Sequence, residues 1–347
     1  MQHLKVNLDE LIEDPSWFPE SFDSARGLFS FVHTDRRALA SEPFLDHRWN
    51  RAGLHNVQVP VDAIAGRLAS FDTQPRLHFI WHTSFCCSSV IARALDRAGR
   101  NLSLLEPAIL VNFADAKREA LSGRKALPPL VFELALRLLA RPFEGDAQVA
   151  IKPSNFANVL LQDAARVIDG NSLFLYSDIE RFLLSIAKGG MHLRRYARRL
   201  FSGIVGDRGE KLPWSVAEII GMSDLEIAAI AWHLQIAEFQ RSRALFGQGR
   251  AATLNCDRFL ADPLGTLVRL DRFFELGIGE TDLEQLVGGP LLRSNAKRPG
   301  FGFDTRQSHD EYEAVRRSLG NELNEIIDWS YRACPGTARG ELFADAD

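Results

Sequence analysis

From Leu77 to Trp81 the chain carries an apolar run, interrupted only by His78, with the length of a buried strand. It gives way to His82-Thr83-Ser84-Phe85-Cys86-Cys87-Ser88-Ser89, small and polar except for Phe85. A helical pattern follows over 90–99, in which Val90, Ile91, Ala94, Leu95 and Ala98 share one face and Gly99 supplies the stop. The alternation then repeats. Leu102–Leu105 ends at Glu106-Pro107 and leads into helical patterns as far as Arg141. Val149–Ile151 ends at Lys152-Pro153, and Leu173–Tyr176 ends at Ser177-Asp178 before a helix near Glu180. Ala252–Asn255 precedes helices over Pro263–Leu276 and Glu280–Val287. Strands alternating with helices predict an α/β fold with a parallel sheet flanked by helices on both faces. The roughly 65 residues between the fourth and fifth strands read as helix only, a helical insertion around 186–248.

Ahead of this pattern, residues 1–70 read as a helical N-terminal extension. Its candidate helices are Leu8–Glu13 (capped by Asn7 and stopped by Pro15), Asp35–Ser41 and Val61–Ser70. Nothing in this stretch looks catalytic. The α/β domain is expected over 71–334, with a flexible tail over 335–347.

Composition narrows the function classes. With 46% apolar and 25% charged residues, the chain of 347 residues is an ordinary globular one, which excludes dominant disorder. The balance of 41 basic against 45 acidic side chains, a net charge of −4, argues against a generic nucleic-acid binder. Four cysteines make no disulfide framework and fit a reducing cytoplasm. The start, MQHLKVNLDELIEDPSW, is too polar for a signal peptide, and no apolar stretch approaches the ~20 residues of a membrane span.

Candidate chemistry converges on one edge. In open parallel sheets, ligands bind beyond the carboxyl ends of the strands, and here those ends carry Thr83–Ser89, Glu106, Lys152 and Ser177–Ser185. The first loop runs straight into a helix, so its N–H groups favour an anion, with Ser88 and Ser89 adding hydroxyls. An ordinary strand–helix turn with a serine cap is the competing reading. The loop lacks the glycines and lysine of a nucleotide P-loop, which leaves magnesium-dependent ATP or GTP hydrolysis, a degenerate-loop kinase included, poorly supported. His78 and His82 are four apart on a strand, about 13 Å along it, and do not make a metal pair. Adjacent Cys86 and Cys87 are strained for a mutual bridge. Arg194, Arg195, Arg198 and Arg199 read as a solvated helix face around a packed stripe of Leu193, Tyr196 and Leu200. His233 reads as structural.

Taken together, the loop T-S-F-C-C-S-S-V between its strand and helix resembles the 5′-phosphosulfate loop of the sulfotransferase family, T-x-[KR]-S-G-[ST]-[ST]. The match puts Thr83, Ser88 and Ser89 on the family's threonine and hydroxyl pair, with Ser84, Cys86 and Cys87 supplying the rest of the cradle. Glu106-Pro107 resembles the E-P after the second strand. Asp178 and Ser185 match the 3′-phosphate segment, strand-R-D-P-x-x-x-x-x-S. Residues 256–267 resemble the block Y-E-D-L-x-x-D-P…T-L. Arg293-Ser294-Asn295-Ala296-Lys297-Arg298-Pro299-Gly300 looks like the basic loop that closes over the donor nucleotide, through Arg293, Lys297 and Arg298. The resemblance covers about residues 76–332. It implies a P-loop-like sulfotransferase architecture, 3′-phosphoadenosine 5′-phosphosulfate as donor without a metal, and a small-molecule or glycan acceptor.

The chain departs from that pattern at three places. Phe85 stands where the family has Lys or Arg, Cys87 replaces the glycine, and Ser177 replaces the arginine of the 3′-phosphate segment. Lys152 is the candidate replacement cation, its alternative being a lysine before a turn proline. Arg181 and Ser185, four apart on one helix face, are placed to hold a phosphate together. Glu106 is the candidate general base, with His82 as a second candidate or a packing histidine. A non-catalytic nucleotide- or anion-binding protein of the same fold is the rival reading.

Overall fold

The computed structural model of the chain describes residues 7–68, 77–124, 126–208, 212–289 and 305–337. The first stretch is not purely helical. Between the helices Leu8–Glu13, Arg36–Ser41 and Val61–Leu68 lie β1 (Trp17–Asp23), β2 (Leu28–His33) and β3 (Asn56–Pro60), an antiparallel sheet in the order β1-β2-β3. Its strands are hard to read locally. β1 carries Pro19, and its register with β2 shifts between Pro19 and Ser21, as at a bulge that tolerates proline.

Nor is this stretch an appendage. Phe22 stacks on Phe113 with centroids 4.8 Å apart, and its N–H donates to Asn112 Oδ1 at 3.0 Å. The Arg141 guanidinium donates to the carbonyls of Leu11, Ile12, Asp14 and Trp17, stapling the start of the chain to the main core. Side chains of both sheets belong to one hydrophobic cluster.

The central sheet holds β4 (Leu77–His82), β5 (Asn101–Leu105), β6 (Gln148–Lys152), β7 (Ser172–Tyr176) and β8 (Ala251–Asn255), in the order β5-β6-β4-β7-β8, all parallel. Alternate residues feed two cores. Phe79, Trp81, Leu104, Ile151 and Phe174 pack on one face, and Ile80, Leu105, Leu173 and Leu175 on the other. That two-sided burial is why the strands appear in the sequence as nearly continuous apolar runs. Buried His78 fits the same interior: its Nδ1 accepts the Asn171 N–H at 2.9 Å and its Nε2 meets Gln148 Oε1 at 2.8 Å.

Between β7 and β8 the described residues are helical, with long helices Gly190–Arg208 and Asp224–Arg243. The helix after β4 is shorter than the pattern predicts, Ser88–Ala94, because Arg97 turns back to bond Asn101. At the other end, residues 335–337 are not a loose tail. Thr337 is buried against His233, and 338–347 lie outside the described residues. Among the described residues, no helix is long and apolar enough to cross a membrane.

Candidate functional site

The β4 order, with β6 on one side and β7 on the other, puts the loop 82–89 at the middle of the sheet edge. Both neighbours brace it. Thr83 N–H donates to Leu175 O at 3.1 Å, and Cys86 Sγ donates to the same carbonyl at 3.6 Å. His82 Nδ1 accepts the Ser84 N–H at 3.0 Å, which leaves its Nε2 protonated to donate to Pro153 O at 3.0 Å. With both ring nitrogens used and the residue buried, His82 holds the loop; it is not placed to take a substrate proton.

Three loop residues are left-handed without being glycine: Ser84 at φ 80°, Phe85 at 53° and Cys87 at 62°. Such conformations are costly for L-residues and persist where surrounding structure enforces them, commonly at ligand sites. Cys87 thus adopts a backbone that glycine takes without steric cost. Its αL geometry followed by helical Ser88 forms the kind of turn whose successive N–H groups make an anion-binding concavity. Ser88 and Ser89 are buried at that turn, and Ser89 Oγ has no partner among the described residues. Ser177 Oγ, at the end of β7, is likewise buried without one.

Phe85 does not point a charge at this turn. Its ring packs edge-on against Phe182 and Tyr196, at 5.6 and 5.9 Å. The Tyr196 hydroxyl shares a 2.6 Å hydrogen bond with Ser84 Oγ and another with Asn155. Burial pushes its pKa well above the ordinary value, so the hydroxyl stays protonated beside the loop.

Lys152, Glu106 and Arg48 form a second cluster on the same edge. The Lys152 side chain is 1% exposed and its ammonium is bonded to Glu106 Oε1. Glu106, itself left-handed at φ 54°, donates its N–H to Lys152 O at 2.7 Å, so the two residues are tied by backbone and side chain alike. Its Oε2 accepts from Arg48 Nη2 at 2.9 Å. Arg48 lies 3.7 Å over the Phe44 ring and forks onto Asp46 at 2.6–2.9 Å. Burial acts to raise the Asp46 pKa, but the Arg48 hydrogen bonds and charge outweigh it and hold the carboxyl below its ordinary value. Exposure rises along the chain of charges, from 1% at Lys152 to 14% at Glu106 and 47% at Arg48. The expected replacement of the loop cation by Lys152 therefore meets a competing partner: its charge is committed to Glu106.

Toward β8, Arg181 and Ser185 are each engaged elsewhere. Arg181 pairs with Asp257 at 2.6 Å, and buried Ser185 Oγ lies 2.9 Å from the Tyr312 hydroxyl while donating to Arg181 O. Asp178 accepts from Asn255 Nδ2 at 2.8 Å, which ties the ends of β7 and β8 together. Arg293, Lys297 and Arg298 lie outside the described residues. Among the described residues no cluster of His, Cys, Asp or Glu is arranged to hold a metal ion.

No protein-family model matches the chain, and neither does any curated protein. Solved structures similar to it include two sulfotransferases. The sulfotransferase domain from the curacin biosynthetic pathway is 12% identical, covers 74% of this chain and 98% of its own, and has a TM-score of 0.40. The sulfotransferase from Alicyclobacillus acidocaldarius is 13% identical, covers 76% and 96%, and has a TM-score of 0.37. Likeness at this level leaves the functional case to the geometry of the chain itself.

Sequence reasoning missed the roles of Arg48 and Tyr196, which the fold brings to this edge. Arg48 belongs to a stretch that reads as non-catalytic, 58 residues from its partner Glu106. Tyr196 reads as part of a packed stripe, and its ring is indeed packed; only the polar tip of a tyrosine on that stripe hints at a partner.

Proposed function

We propose that the chain binds 3′-phosphoadenosine 5′-phosphosulfate with its 5′ anionic group in the loop Thr83–Ser89, and transfers the sulfuryl group to a hydroxyl or amine of a small-molecule or glycan acceptor. The observation that carries this reading is the loop itself: Cys87 held left-handed at a helix start, next to a buried Ser89 hydroxyl with no partner among the described residues. In the reaction, the acceptor oxygen or nitrogen forms the new bond to sulfur, its proton passes to a base, and the bond from sulfur to the phosphate oxygen breaks. Glu106 is the base in this scheme, its carboxylate oriented by Lys152 and Arg48. The backbone of Cys86 and Cys87 and the hydroxyls of Thr83, Ser88 and Ser89 hold the leaving phosphate, while the Ser84 N–H stays on His82. Arg293, Lys297 and Arg298 serve the 3′-phosphate end of the donor, joined by Arg181 and Ser185 once they exchange Asp257 and Tyr312 for the phosphate, and His82 positions the loop.

A second reading is favoured by a specific observation. Phe85 is committed to an aromatic cluster and Lys152 to Glu106, so neither of these two described residues neutralises a leaving phosphate. A protein that binds the nucleotide without transfer fits that feature. Calorimetry with adenosine 3′,5′-bisphosphate and with ATP–magnesium separates these readings from a kinase, and turnover of the sulfated donor separates them from each other. Metal-independent binding of the bisphosphate with turnover supports transfer; binding without turnover supports the second reading; binding of ATP–magnesium alone contradicts both.

A further inference from the structure

The first bend of the loop after β4 is held at its ends by the sheet and in its middle by the helices that follow β7. Thr83 N–H and Cys86 Sγ both reach the Leu175 carbonyl. Between them Ser84 and Phe85 are left-handed in succession, at φ 80° and 53°. Such backbones are costly and persist only where the surrounding structure enforces them. The Ser84 N–H is turned onto His82 Nδ1, and the buried Ser84 hydroxyl shares its 2.6 Å bond with Tyr196, a residue of the helix Gly190–Arg208. The Phe85 ring meets the same tyrosine edge-on at 5.9 Å. Tyr196 therefore touches both strained residues, one through its hydroxyl and the other through its ring.

Tyr196 is itself fixed from the opposite side. Phe156, in the short helix Asn155–Leu160 after β6, packs edge-on against it at 5.7 Å. The Phe156 carbonyl accepts from Arg118 Nη2 at 2.5 Å, and Arg118 forks onto Asp207, a residue of Tyr196's own helix, at 2.6 and 2.9 Å. A phenol braced in this way gives the loop a fixed point away from the sheet.

We propose that Tyr196 is a positioning residue of the anion loop: its hydroxyl holds Ser84 in the left-handed bend from which the N–H groups of residues 86–89 are aimed at the 5′-phosphate of the donor. The effect on binding rests on the reading of that turn as the anion site; the hold on the loop does not. Tyr196 acts through Ser84, without touching the ligand. It removes conformations of the free loop instead of adding a contact to the bound one. Released from Tyr196, Ser84 can relax into the extended or right-handed region and carry the following N–H groups out of line. The loss therefore falls on ligands that present a 5′-phosphate.

The experiment measures binding of adenosine 3′,5′-bisphosphate and of adenosine 3′-monophosphate to the whole protein and to Tyr196→Phe, which keeps the ring and removes the hydroxyl. Amide hydrogen exchange of the loop is followed in both. The expected result is bisphosphate binding weakened by about tenfold, monophosphate binding unchanged, and faster exchange at residues 86–89. Ser84→Ala should reproduce the loss, and the double variant should bind no more weakly than either single one, since both remove the same bond. Should Tyr196→Phe not fold, Ser84→Ala carries the same comparison. Equal weakening of both nucleotides marks a general structural role and overturns the proposal. Unchanged bisphosphate binding in Tyr196→Phe, or additive losses in the double variant, overturns it as well. Natural protein that binds no bisphosphate overturns the functional reading, while exchange at residues 86–89 still decides whether Tyr196 holds the loop.

Discussion

The ammonium of Lys152 and the carboxylate of Glu106 are bonded across the gap between β6 and β5, and Arg48 closes the far side of the same carboxylate. Glu106 is therefore the shared anion of two cations, one buried and one half-exposed. This arrangement keeps the carboxylate in place at the sheet edge and makes its removal unequal to the removal of either cation.

Glu106→Ala should cost about 3–5 kcal/mol of stability, because it strands a buried ammonium. Lys152→Met should cost less, since Glu106 keeps Arg48. Urea unfolding of both variants checks the order, and a larger loss in Lys152→Met would count against the pairing described.

Glu106→Gln keeps the shape and an acceptor for Lys152 but cannot take a proton. It should preserve binding of adenosine 3′,5′-bisphosphate and lower turnover by about 10²-fold or more. An unchanged rate would remove Glu106 as the base.

The αL backbone of Cys87 makes a separate stability prediction. Cys87→Gly should be at least as stable as the natural chain, since relief of about 1–2 kcal/mol of backbone strain offsets glycine's larger unfolded-state entropy. Cys87→Val, with a branched Cβ at the same φ of 62°, should be destabilised by about 2 kcal/mol. Equal unfolding midpoints for the two variants would contradict the strained geometry.

The alternation of strands and helices is legible in the sequence because β4–β7 are buried on both faces and so appear as apolar runs of strand length, with β8 partly buried at the edge. The position of the loop is legible for the same reason: Thr83–Ser89 is where the first run stops. The N-terminal sheet is not. β2 finds β3 across residues 34–55, and β1 is broken by a bulge at Pro19, so neither period nor turn signal announces them. Of the site, the residues at strand ends follow from topology, but their partners do not. That Lys152 is committed to Glu106, that Arg48 joins them, and that Tyr196 reaches Ser84 depend on contacts 46, 58 and 112 residues apart.

His233 gives the fold a pH dependence. Burial pushes its pKa down from 6.5 to about 4, and its ring bonds Thr337 and Ser330 in the neutral form. Its contribution is whole above the unfolded value of 6.5. It falls as pH drops toward 4, where the unfolded chain binds the proton that the folded chain refuses, by about 3 kcal/mol in total. His233→Gln should flatten the slope of stability against pH in this window, measured by urea unfolding. A slope equal to that of the natural chain would place the dependence elsewhere.

The central claim is that the turn at Cys87 is an anion site, and the most direct measurement is a crystal structure of the protein grown with adenosine 3′,5′-bisphosphate. The 5′-phosphate is expected against the N–H groups of residues 86–89, with Ser89 Oγ supplying the hydrogen bond that it makes to no atom of the described residues. A loop whose N–H groups are bonded internally, with the nucleotide absent or bound away from that turn, would contradict the anion site.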